Sequence, residues 1–111
     1  MQTGASGQPT LRCETALVNA FALLGKRWNG VILGTLAHGP ASFSSLSRAV
    51  EGISDSMLSS RLSELGEAGL VTRVVAEGPP VAVDYHLSAA GDALIPALRA
   101  ISAWANEHLV P

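Results

Sequence analysis

Cys13 is the only thiol in the chain, which excludes an intramolecular disulfide and, beside just three histidines, leaves no multi-ligand zinc site to expect. His38, His86 and His108 fall in a turn, a strand and the last helix, without the short spacings of a metal-binding pair. Surface or structural roles are expected for them, and no metal or other cofactor is. Long apolar runs are missing too, since none approaches the ~20 residues of a bilayer-spanning helix. The start carries neither the basic nor the apolar region of a signal peptide, so a cytoplasmic protein with no membrane partner is expected. Nor is positive charge in excess. Seven Lys and Arg stand against nine Asp and Glu, a formal net charge of −2, which supplies no global attraction to nucleic acid. Any such function must be argued from pattern. What the sequence does have is apolar content, 48% of 111 residues with only 14% charged. That suits one compact domain whose core forms without disulfide or metal. Residues 1–11 stand apart, because Met1–Thr10 (MQTGASGQPT) has the composition of an unstructured arm. Residues 12–111 form the expected domain, with no internal repeat.

Hydrophobic periodicity divides that domain. From Cys13 to Leu24, the residues Leu17, Phe21 and Leu24 recur at helical spacing, and Gly25 can close the helix. Trp28, Val31, Ile32, Leu33 and Leu36 predict a second helix, stopped by His38-Gly39-Pro40. The basic pair Lys26 and Arg27 separates the two. After an extended piece around Ala41–Phe43, Ser44 can cap a short helix carrying Leu46, Ala49 and Val50, which breaks at Glu51-Gly52. Ser54 caps the next, about Asp55–Ala68, with Leu58, Leu62 and Leu65 on one face and Gly69 as a left-handed C′ residue. Its other face is Asp55, Ser56, Ser59, Ser60, Ser63 and Glu67. Leu70–Val75 is rich in β-branched residues, and Val81, Val83, Tyr85 and Leu87 alternate as a half-buried strand should, with Ala76–Pro80 as the hairpin loop. Ser88 begins a last segment in which Leu94, Leu98, Ile101 and Trp104 recur at helical spacing. Pro96 must lie near its first turn or kink it.

A short helix, a turn through Gly52, a serine-capped helix and a two-stranded hairpin is the order of a winged helix-turn-helix, mostly α with a small β-hairpin wing. Such a domain inserts its second helix in the major groove. That helix needs one face to anchor it and another whose small polar side chains can approach base edges and phosphates. Ser54 to Ser63 satisfies both needs, because serine hydroxyls bond base edges and phosphate oxygens and the amides at a helix start favour a phosphate. A serine face that is merely solvated is the alternative. The candidate DNA-binding residues are Ser44, Ser54, Asp55, Ser56, Ser59 and Ser60, with Arg27, Arg48 and Arg61. Arg61 lies three residues after Leu58, at the edge of the buried face, where a structural ion pair competes with phosphate contact. Arg27 and Arg48 have the same two readings.

Several separate stretches stand out: the cysteine opening the first helix, Gly25-Lys26-Arg27-Trp28, FSSLSRAVEGISDSMLSSRLSELGEAGLVTR from Phe43 to Arg73, Pro79-Pro80 ahead of Val83–Ser88, Gly91, and Leu94-x-Pro96 leading to Trp104. In joint order and spacing they resemble the HxlR-type transcriptional regulators of bacteria, relatives of the MarR group. The resemblance covers Cys13 to about His108. It implies a homodimer built by the first and last helices (residues 12–25 and 91–109), with a helix-turn-helix at 44–68 and a wing at 70–88. It further implies binding to double-stranded operator DNA containing inverted repeats, usually repression of nearby genes, and no catalysis. Two recognition helices related by a dyad would meet half-sites roughly 34 Å apart. Two departures from the family pattern remove phosphate contacts: Ser42 replaces a common Arg before the Phe of the short strand, and Val81-Ala82 replaces a basic residue after Pro-Pro. Between Lys26 and His86, Lys26, Arg27, Arg48, Arg61 and Arg73 face Glu51, Asp55, Glu64, Glu67, Glu77 and Asp84. That balance predicts weak binding with a shallow salt dependence, or acids such as Glu64 and Glu67 turned away from DNA.

Cys13 follows Arg12 near a helix start, where a cation and the helix dipole favour the reactive thiolate form. It matches the N-terminal cysteine through which some members of the family respond to aldehydes, quinones, hypochlorite or disulfide stress. The alternative is a small buried hydrophobe packed at the dimer helix. With no second cysteine, oxidation is limited to a Cys13–Cys13 bridge across the dimer, a mixed disulfide with a small thiol, or an adduct. Leu17, Phe21, Trp28, Leu98, Ile101 and Trp104 are candidates for the dimer interface, or for a pocket between the tryptophans that holds a small apolar effector. Aromatic residues, 5% of the chain, offer little to line a further cavity. Two other classes stay open. One is a winged helix kept as a protein-interaction module with little or no DNA binding, favoured by the acidic balance and the apolar wing around Pro79–Val83. The other is a thiol enzyme using Cys13, which has no histidine near it in sequence to act as base.

Overall fold

A computed structural model of the chain describes residues 11–109, so the arm expected at Met1–Thr10 lies outside the described residues. In chain order come α1 (Thr15–Leu24), α2 (Asn29–Leu36), α3 (Phe43–Ala49), α4 (Asp55–Glu67), β1 (Val71–Ala76), β2 (Ala82–Leu87) and α5 (Ala89–His108). The strands pair antiparallel, from Val71 opposite Leu87 to Ala76 opposite Ala82. This is the winged helix-turn-helix order, mostly helical with a two-stranded wing. Ala41 widens the wing by a single bridge: its N–H donates to the Tyr85 carbonyl at 3.1 Å, and its carbonyl accepts from the Tyr85 N–H at 2.8 Å.

The core forms where the apolar stripes of the helices meet. Ile32, Leu33 and Leu36 of α2, Leu46 of α3 and Leu58, Leu62 and Leu65 of α4 are buried, with Val50, Ile53 and Val71 closing the cluster. Burying each such side chain contributes roughly 1.5–3 kcal/mol, so the trihelical centre and not the termini holds the fold. α1 has no buried residue at all. Among the described residues no helix is long and apolar enough to cross a membrane.

Local chemistry sets the ends of the elements. α3 is capped by Ser42 and not by Ser44: the Ser42 hydroxyl oxygen accepts the Ser45 N–H at 3.2 Å, while Phe43 opens the helix and packs against the core. Ser42, read as a lost phosphate contact, therefore has a capping role of its own. Ser54 caps α4 as expected, accepting the Met57 N–H at 3.1 Å. At the other end Gly69 (φ +80°) takes the left-handed C′ conformation. The Leu70 N–H reaches the Leu65 carbonyl and the Gly69 N–H the Gly66 carbonyl, each at 3.0 Å, a Schellman closure that turns the chain directly into β1. Ser88 caps α5, accepting from the Gly91 N–H at 3.1 Å and donating to the Gly69 carbonyl at 2.6 Å. Gly91 crosses the hairpin so closely that a Cβ there would lie 2.3 Å from the Leu70 carbonyl oxygen.

Several expectations change. Pro96 lies in the interior of α5, beyond the first turn, where its missing N–H removes a bond to the Asp92 carbonyl. Val81 precedes β2 and is two-thirds exposed, whereas Val83 to Leu87 are all half-buried and do not alternate. The cause is that β2 lies against α2, α3 and α5, which partly cover both of its faces. Trp28 does not enter the second helix; it stands before it in a left-handed conformation (φ +85°).

Candidate nucleic-acid interface

The helix-turn-helix joins α3 to α4 through Gly52 (φ +89°), and a hydrogen bond ties the two: the Ser47 hydroxyl donates to Asp55 Oδ1 at 3.0 Å. With Leu58, Leu62 and Leu65 buried, α4 presents Ser56, Ser59, Ser60 and Ser63 outward, all exposed. Ser54 sits exposed at its start, its hydroxyl 3.4 Å from that of Ser56. Ser44 is exposed at the start of α3, 3.4 Å from the Ser42 hydroxyl. Every serine proposed from the sequence is thus on the surface of the motif. Asp55 is less free, since its carboxylate accepts from Ser47.

The arginines divide. Arg61 Nε donates to the Arg27 carbonyl at 3.1 Å, and its guanidinium lies 3.8 Å from Glu64. Both contacts tie α4 to the chain around the turn between α1 and α2, as the structural reading of Arg61 expects. Arg27 is exposed, and its guanidinium lies over the Trp28 ring, 4.4 Å from its centre. Arg48 is exposed in the last turn of α3, where a cation suits the helix dipole. Among the described residues neither pairs with a carboxylate.

Glu64 is the hub of a network that sequence reasoning missed. It pairs with Lys26 and Arg61, and the Asn29 amide donates to it at 3.1 Å and to the Leu23 carbonyl at 2.9 Å. Asn29 is fully buried, and its Oδ1 has no partner among the described residues. The Lys26 ammonium first, then the Asn29 amide, hold the Glu64 carboxyl below the usual carboxylate range. Glu64 is therefore directed to the α1–α2 turn, and Lys26 and Arg61 are engaged with it. Glu67 is exposed on α4. Besides the two readings of Arg61, a signal in the sequence was the polar Asn29 at the head of an apolar run; its partner lies far along the chain.

Cys13 is exposed and precedes Glu14, which holds the N-cap position of α1. It is not packed in this chain's own core. Leu17 and Phe21 of α1 and Ile101 and Trp104 of α5 are each about half exposed, with Trp104 tilted against His108 at 5.9 Å between ring centres. Leu98 packs on the core, as does Trp28, near Gly52 and under Arg27. Neither tryptophan lines the cavities found among the described residues at α5, α4 or the end of α2. The cavity beside α5 is instead a groove of about 470 Å³ between α2 and α5, lined by Val31, Gly34, Ile95, Leu98 and Ile101, with Arg99. His38, His86 and His108 form no metal-binding cluster with other ligating residues among the described residues.

Comparison with known proteins agrees with this geometry. The family model described as HxlR-like helix-turn-helix matches residues 23–111. The HTH-type transcriptional regulator YodB of Bacillus subtilis is 41% identical over 93 residues, 84% of this chain and 83% of that one. The solved structure of reduced YodB superposes with a TM-score of 0.78 at 39% identity, covering 88% of this chain and 95% of that one. Quinone-bound YodB gives a TM-score of 0.73 at 36% identity, covering 85% and 99%.

Proposed function

The chain belongs to the HxlR-like helix-turn-helix family, and from that premise we propose a sequence-specific DNA-binding transcriptional regulator that works as a cytoplasmic homodimeric repressor. Its operator is an inverted repeat in duplex DNA, and a small electrophile or oxidant releases it by acting on Cys13. Residues 12–25 and 91–109 pair the subunits, residues 44–68 dock on DNA and residues 70–88 serve as the wing. The observation that carries the reading is α4: a helix anchored by three buried leucines, capped by Ser54, and free to offer a row of exposed serines. A helix of that form suits the major groove.

The dimer is supported by apolar surface left uncovered in one chain, on α1 at Leu17, Val18 and Phe21 and on α5 at Ile101 and Trp104. Exposure of Cys13, just ahead of α1, supports sensing, and YodB has been seen with quinone bound. Addition of the thiol to a quinone forms one C–S bond, and the thiol proton ends on a ring oxygen, so no further reactant is needed. The route to DNA runs through the Glu64 network. α1 leads directly into Lys26 and Arg27, which with Asn29 are bonded to Arg61 and Glu64 on α4, so a shift of α1 is passed to the recognition helix.

Hydroxyl-radical footprinting of the DNA upstream of its own gene tests the dimeric regulator. Two symmetric protected patches about one helical turn apart are expected; a single patch, or none, overturns it. Quinone should dissolve that footprint for the natural protein and leave it in place for Cys13→Ser; equal release from both removes the cysteine sensor and leaves the regulator. A protein-interaction module is the second reading, favoured by the exposed apolar tip of the wing at Val75 and Val81.

A further inference from the structure

A second hollow, of about 240 Å³, lies between α4 and the wing. Ser59 and Ser63 of α4 and Arg73 and Tyr85 of the hairpin line it, together with the buried Leu62 and Val71. The β register explains the gathering. Arg73 stands directly opposite Tyr85, so both point to one face of the hairpin, the face on which Val71, two residues earlier, is buried. Ser59 and Ser63 are one turn apart on the helix that faces them.

The chemistry of the lining is one-sided. Arg73 is exposed and pairs with no carboxylate among the described residues. No Asp or Glu lines the hollow, although acids outnumber bases in the chain. An arginine and three hydroxyl-bearing residues therefore line a space several times the ~30 Å³ of a water molecule. Such donors suit an oxyanion. The location narrows the choice: with α4 in the major groove and the hairpin reaching toward the next groove, what passes between them is the sugar-phosphate strand that divides the two.

We propose that this hollow seats a backbone phosphate of duplex DNA, with Arg73 supplying the charge and Ser59, Ser63 and Tyr85 the hydroxyl donors. The inference rests on the DNA-binding reading above and deepens it. It supplies the wing with a basic contact at its base, where the tip at Val81-Ala82 has none.

The test is the salt dependence of binding by fluorescence anisotropy, for the natural protein, Arg73→Gln, Arg73→Lys and Ser63→Ala, on the upstream duplex and on a random duplex. One lost phosphate contact lowers the slope of log affinity against log salt by about 0.9. Arg73→Gln should show that loss and bind both duplexes about tenfold more weakly, in equal proportion because a phosphate carries no sequence. Arg73→Lys should recover the slope, which a packing role for Arg73 would not produce, and Ser63→Ala should weaken both duplexes alike at an unchanged melting temperature. A slope unchanged in Arg73→Gln, while the natural protein still prefers the upstream duplex, overturns the phosphate seat and spares the regulator. A natural protein that binds both duplexes equally, with the slope still lowered in Arg73→Gln, spares the seat and overturns sequence-specific regulation. Inorganic phosphate titrated without DNA gives the last arm: an Arg73-dependent heat of binding at submillimolar phosphate, with the DNA slope unmoved, assigns the hollow to a free anion and overturns the proposal.

Discussion

Glu64 lies on the helix expected to read DNA, yet its bonds run backward to Lys26, Asn29 and Arg61. Because these partners favour its charged form, its folded pKa is lowered. A lowered carboxyl pKa gives stability that is present above the unfolded pKa and is lost as pH falls through the folded one. Chemical denaturation at about pH 7 and about pH 3 should therefore show a fall in midpoint for the natural protein that is smaller in Glu64→Gln. An equal fall in both would mean that Glu64 is not held by the network. Arg61→Gln loses the bond to the Arg27 carbonyl as well, a hydrogen bond from a charged donor worth about 1–3 kcal/mol. In the sequence the polar Asn29, the two readings of Arg61 and the option of Glu64 turned from DNA each marked one member of this network, and none of them its partners. Periodicity places a residue on a face, but it does not say which residue more than thirty positions away meets it there.

At the scale of the element, local rules were enough wherever partners lie within a turn. Ser54, Gly69 and the Leu58, Leu62, Leu65 stripe stand as their spacing required. α3 is instructive because Ser42, Ser44 and Ser45 offer several caps, and packing of Phe43 on the core chose Ser42. Ser42→Ala should cost about 1 kcal/mol in urea unfolding, and Ser44→Ala within about 0.5 kcal/mol; a reversed order would contradict the cap. The wing was the least legible part. Alternation in Val81 to Leu87 reads as one buried face, whereas three helices packed on β2 half-bury both. The sequence also left Arg73 as one base in a count, because what gives it a role is the cross-strand register with Tyr85 and the approach of α4.

On the whole-molecule scale, a core built from α2, α3 and α4 leaves α1 and the far half of α5 with apolar faces that no described residue covers. A second copy of the chain is the proposed cover. Phe21→Asp places a charge in that face and should convert a dimer to a monomer in sedimentation equilibrium without loss of helical content; a natural protein that is already monomeric, or a variant that stays dimeric, would contradict it. Charge is also a whole-molecule matter. Of the five bases between Lys26 and His86, two serve the Glu64 network, and Arg27, Arg48 and Arg73 are exposed without a carboxylate partner among the described residues. The net charge of −2 thus does not exclude DNA, but it limits how much of the affinity can come from counterion release.

The most direct test is anisotropy titration of the natural protein with the duplex from upstream of its own gene and with a random duplex, across a range of salt. Tighter binding to the upstream duplex is expected at every salt concentration, on a slope reporting only a few phosphates per subunit. Equal affinity for the two at each salt concentration would contradict it.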